Sequence, residues 1–167
     1  MEVSFDVQLR PKDLFRFNIY QTYTGMQGIL SIALGILGFV MAGLSVGKAE
    51  IPYTIMYIVV GLIFLFYIPV SLWFRAKQSL KTNAVLAGKL HYEVSEKGIH
   101  VAQGKETGDL PWDAVYKLVS NKHQILIYTT RVNAYVIPRE QIGEQYERFC
   151  EVAGKVLEPF RVKLKKR

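Results

Sequence analysis

The chain has 167 residues, half of them hydrophobic, with one cysteine and a formal net charge of +7. That length holds one domain of modest size beside about 50 residues of bilayer span, and a lone Cys150 excludes an internal disulfide framework. The positive charge gathers at residues 10–16, 75–81 and 161–167, while acidic residues slightly outnumber basic ones over 89–160, which argues against a basic nucleic-acid groove.

The chain opens with a clean alternation of apolar and polar residues over 3–9, the period of a half-buried strand. A strand needs a sheet, and the segment rich in strand signals lies downstream. The alternation therefore predicts that residues 1–10 join that sheet and that what intervenes is an insertion within one domain. Residues 11–24, with Leu14, Phe15 and Phe17, read as an interfacial helix.

Two uncharged apolar stretches follow, 17–47 and 51–74, separated only by Lys48, Ala49 and Glu50. Each supplies the roughly 20 residues a helix needs to cross about 30 Å of hydrocarbon, and trimming at the aromatic interfaces places the spans at 25–46 and 52–74. A cleaved signal peptide fits poorly, because Glu2, Asp6 and Asp13 precede the first run and a second span follows at once. Lys and Arg flank the spans on the terminal side, whereas Lys48 is offset by Glu50 in the loop, so both termini and the soluble part are expected in the cytoplasm.

In the first span Gly28, Ser31, Gly35, Gly38, Ala42 and Ser45 recur at steps of three and four, forming one smooth stripe. Small residues let helices approach closely in lipid. Two uses are open: packing of the hairpin on itself, or contact with a second copy or another partner helix. Pro69 predicts a kink near the inner end of the second span. Both spans lack ionisable residues, the usual mark of an ion or proton path.

Residues 75–88 read as a helical extension stopped at Gly88. Strands are then expected over 90–94, 99–103, 107–110, 114–120, 124–130 and 134–137, joined by connections too short for parallel crossovers. A helix over about 140–157 should cover the sheet through Ile142, Tyr146, Phe149, Ala153, Val156 and Leu157. The basic tail, 159–167, reads as a last short strand or a membrane-hugging peptide.

The order of these elements, with Leu110-Pro111-Trp112-Asp113-Ala114-Val115-Tyr116-Lys117-Leu118 and then Tyr135-Val136-Ile137-Pro138-Arg139-Glu140, resembles the YcxB-like family of bacterial membrane proteins. The resemblance implies an α+β membrane protein in a bacterial cell membrane. A two-helix transmembrane hairpin would be joined to an antiparallel pleckstrin-homology-like sheet over 89–167, bent and capped by a C-terminal helix, with the N-terminal strand joining that sheet. It brings no catalytic residue, cofactor or ligand to carry over.

Chemistry is sparse in the residues themselves. His91, His100 and His123 have no neighbours at metal-ligand spacing, Asp113 beside Pro111 reads as a turn residue, and Trp112 as a core anchor. The reading is therefore non-enzymatic, without metal or cofactor. It describes a membrane-tethered module binding a protein partner or lipid at the inner face, with no nucleic acid. Expected headgroup contacts are Arg16, Arg75, Lys77, Lys163, Lys165, Lys166 and Arg167. Related proteins with such domains suggest an alternative, self-protection against membrane-active bacteriocin-type peptides.

Overall fold

The computed structural model describes residues 2–164, in two compact units: Met1–Leu14 with Ser79–Arg167, and Phe15–Gln78. The first unit holds two four-stranded sheets. In one, β1 (Val3–Gln8), β2 (Lys89–Ser95), β3 (Gly98–Gln103) and β4 (Glu106–Leu110) lie side by side in chain order, all antiparallel. In the other, β5 (Lys117–Ser120), β6 (Gln124–Tyr128), β7 (Ala134–Pro138) and β8 (Val162–Lys163) take the order β7-β6-β5-β8.

The alternation over the first residues does what its period predicts. Val3, Phe5 and Val7 are buried while Ser4, Asp6 and Gln8 face out, and β1 pairs with β2 from Val3 opposite Val94 to Gln8 opposite Lys89. Because side chains alternate across a strand, this register sends every apolar residue of β1 into one core. Phe5 stacks on Tyr92 at 5.5 Å and meets Phe149 edge-on at 6.4 Å. On its open edge, the Gln8 amide donates to Gln141 Oε1 at 2.7 Å and Gln141 Nε2 donates to the Gln8 carbonyl at 2.9 Å. A side-chain amide thus stands in for a neighbouring strand.

Several expectations are corrected. The single bent sheet is two sheets, and β8 pairs with β5 in parallel; the tail residues come from beyond the C-terminal helices, so the short-connection argument does not apply to them. The strand expected over 114–120 begins only at Lys117, because Trp112–Ala114 forms a 3-10 turn. Trp112 drives that turn: its ring is buried and Nε1 donates to the Ser95 carbonyl at 2.8 Å. The helix expected over 140–157 is broken into α5 (Arg139–Ile142), a 3-10 turn (Gly143–Gln145) and α6 (Tyr146–Val156). Gly143 sits at φ +55°, where glycine carries no Cβ penalty. The break resets the helical phase, so Val152 is fully buried and Val156, expected inside, is 37% exposed.

Helix α1 (Pro11–Tyr23) spans the unit boundary, as does α3 (Ile51–Thr82); α2 (Met26–Ser45) lies wholly within the second unit. The second span and its extension are thus one 32-residue helix that continues on both sides of Pro69, since residues such as Ala76, Lys77, Gln78 and Leu80 favour helix once lipid-like apolarity ends. Asn83 ends it, and its Oδ1 accepts from Val85 and Leu86 at 3.0 and 3.3 Å to start α4 (Ala84–Ala87).

Candidate functional site

In the second unit, α2 and α3 pack antiparallel through their smallest residues. All of Gly28, Ser31, Gly35, Gly38, Ala42 and Ser45 are buried. A Cβ on Gly35 would come within 2.6 Å of the Leu65 side chain, and one on Gly38 within 2.9 Å of Gly61 Cα, so backbone approaches backbone here. The hydroxyls are satisfied inside the hairpin. Ser31 Oγ donates to the Phe64 carbonyl, Ser45 Oγ to Ala42 O at 2.8 Å, and the Ser45 and Thr54 hydroxyls meet at 2.8 Å. Ser31, Gly35, Gly38 and Ser45 thus meet α3, while Gly28 lies against Thr22 and Tyr23 of α1.

Bulk points the other way. Met26, Ile29, Leu37, Ile51, Ile63, Phe66 and Val70 are each more than half exposed, and in the most apolar window of α3 only 6% of residues are buried. A soluble protein puts its large apolar residues inside; this hairpin puts its small ones there.

Of the residues expected at headgroups, Arg16 is half-buried on α1, and Arg75 and Lys77 are exposed on α3. Lys163 is exposed on β8 in the other unit. Among the described residues no ion pair neutralises any of the four. Lys165, Lys166 and Arg167 lie outside the described residues.

The sheet register assembles a cluster that linear spacing hides. Asp6 stands opposite His91, and Glu93, His100 and Asp109 form the next cross-strand row over β2, β3 and β4. Asp6 accepts from Lys89 at 2.7 Å and lies 2.6 Å from His91 Nδ1, whose Nε2 is 3.4 Å from Glu93. His100 Nδ1 lies 2.5 Å from Asp109. The bond to Asp109 holds the His100 imidazole above its ordinary value, and the bonds from Lys89 and then His91 hold Asp6 below the usual carboxylate range. All six side chains are at least one-third exposed.

This row is a ladder of ion pairs across β1 to β4. Both histidines spend Nδ1 on a carboxylate, and no group of three or more His, Cys, Asp or Glu among the described residues can hold a metal ion. An open depression of about 350 Å³ lies beside His100 and Asp109, with Ser95 and Lys97 on its wall, where the Ser95 hydroxyl donates to the Gly98 carbonyl at 3.3 Å. Burial pushes the Cys150 thiol up, away from the reactive thiolate.

Residues 94–151, from the end of β2 to the middle of α6, match the family described as YcxB-like protein. The likeness carried by the Leu110–Leu118 and Tyr135–Glu140 segments therefore holds, and the chain is YcxB-like over that span. No curated protein and no solved structure matches the chain.

Proposed function

We propose that this YcxB-like chain is a non-enzymatic, membrane-tethered module. In this reading α2 and α3 cross a bacterial cell membrane, and a pleckstrin-homology-like domain on the cytoplasmic side binds a protein partner or lipid. The observation that carries it is the inverted packing of the hairpin. Exposed apolar surface on this scale exceeds the few hundred Å² that a water-soluble monomer tolerates, and burial through small residues is the packing that lipid selects.

The domain reading rests on topology. Four antiparallel strands in one sheet, then three in a second sheet and then the C-terminal helices support the pleckstrin-homology-like reading, with two sheets in place of one bent sheet. Gln8 and Lys89 are register partners, so both ends of the inserted segment return to adjacent strands. That is a two-point tether, stiffer than a linker at one terminus.

Single cysteines in a Cys150→Ala background test the reading. With an impermeant maleimide on intact bacterial cells, Lys48→Cys in the interhelical loop should label and Lys97→Cys in the β2–β3 turn should label only after lysis. Release of the chain by alkaline carbonate, or labelling of both positions alike in intact cells, would defeat it.

A further inference from the structure

One end of the second sheet collects exposed apolar side chains and cations from three distant parts of the chain. The Tyr116 amide donates to the Tyr128 carbonyl at 2.7 Å, β6 turns into β7 through residues 129–133, and β8 runs parallel to β5 with Leu118 opposite Val162. The starts of β5 and β8 and the β6–β7 loop therefore share this end. Tyr116, Val132 and Phe160 are 47%, 59% and 73% exposed there. Lys117, Arg131, Arg161 and Lys163 lie next to or near them in the chain, and among the described residues only Arg161 of the four has an acidic partner, Glu158 at 3.6 Å.

We propose that this crest is a docking surface for an anionic lipid bilayer, with Val132 and Phe160 entering the headgroup boundary and Lys117, Arg131 and Lys163 on the phosphates. This deepens the tether reading and rests on it, naming the lipid and the surface. Charge complementarity selects the occupant. An apolar tip ringed by unpaired cations suits an interface where acyl chain meets negative headgroup. Lys117 is half-buried with its ammonium 4.3 Å from the Tyr128 ring, whereas Arg131 and Lys163 are exposed and are the cations the test removes.

The test uses the full chain in lipid nanodiscs, with an environment-sensitive fluorophore on Val132→Cys in the Cys150→Ala background. With phosphatidylglycerol the probe should shift to the blue and be quenched by spin-labelled lipid; with phosphatidylcholine alone both effects should be weak. Each cation near an anionic surface is worth about a fivefold change in partitioning. The pair Arg131→Gln and Lys163→Gln should therefore reduce the docked fraction relative to the undocked by about 25-fold, and about 1 M salt, with a Debye length of about 3 Å, should do likewise. Circular dichroism of each variant checks the fold.

Equal quenching in the two lipids, none in either, or an equal blue shift on adding soluble polyglutamate would overturn the proposal, the last in favour of an acidic protein partner. Incorporation into discs reports on the tether separately. A chain that stays out of discs defeats the tether reading, and its cosedimentation with phosphatidylglycerol vesicles then decides the surface.

Discussion

Gly38 occupies a place where a methyl group would lie 2.9 Å from Gly61 Cα and 3.1 Å from the Tyr57 carbonyl, both backbone atoms that cannot rotate away. Gly38→Leu should therefore destabilise the hairpin by about 1–3 kcal/mol through overpacking, seen as a lower melting temperature in detergent. Gly43, on the same helix with nothing within 4 Å of its virtual Cβ, should tolerate Ala. At His100 the sign is set by the bond to Asp109. A raised value means the pair stabilises the fold fully below the ordinary 6.5 and loses that contribution as pH rises through the raised value. Asp6 behaves oppositely, contributing above 3.8 and losing its contribution as pH falls through its lowered value. Asp109→Asn should bring the His100 titration, followed by imidazole NMR shifts, back down towards the ordinary value. An unmoved titration would remove Asp109 as the cause. The Asp6–His91 pair was not legible from spacing, because the two are 85 residues apart and only strand register makes them neighbours, and His100 meets Asp109, nine residues on, through the register of the β3–β4 hairpin.

The broken C-terminal helix shows how one residue sets an element. Residues 139–156 carry a helical apolar period on both sides of the interruption, so periodicity alone joins them; the left-handed backbone at Gly143 separates them. Gly143→Ala should cost about 1–3 kcal/mol, the usual penalty for a side chain in a sparsely populated backbone region. Gly154→Ala, in regular helix and open space, should instead gain about 0.4–1 kcal/mol by restricting the unfolded chain. Thermal unfolding of the two variants should move in opposite directions, and a shift of the same sign in both would count against the break. The helical extension expected after the second span is present, continuous with the span to Thr82 and followed by Ala84–Ala87 with Gly88 as its cap. Loss of apolarity after Phe74 marks where lipid would end, but the backbone has no cause to leave the helix until Asn83 offers its side chain as a cap.

At the scale of the molecule, the pairing of β1 with β2 makes a prediction about what the inserted segment is for. Replacing residues 10–87 by an Asn-Gly turn, which favours a two-residue antiparallel connection, should leave Gln8 opposite Lys89 and give a water-soluble domain that unfolds cooperatively. Far-UV circular dichroism and urea titration would show it. An aggregated or non-cooperative product would mean that the helical segment is part of the folding unit and not an insertion. Deleting residues 2–9 instead should expose Tyr92 and Phe149, which Phe5 covers, and abolish cooperative unfolding of the same domain.

The sequence by itself determined the two apolar helices, the small-residue stripe, the strand at the start and the run of short strands, because each is written in local periodicity or in the absence of charge. Its family likeness rested on residues within 110–140, close enough in the chain to be read together. The tertiary structure decided that there are two sheets, that Ser31, Gly35, Gly38 and Ser45 of the stripe face α3, that β8 lies parallel to β5, and that Asp6, His91, Glu93, His100 and Asp109 form one ladder. Those facts depend on register and on pairing across long stretches of chain, which packing of the whole core selects and local propensity does not encode.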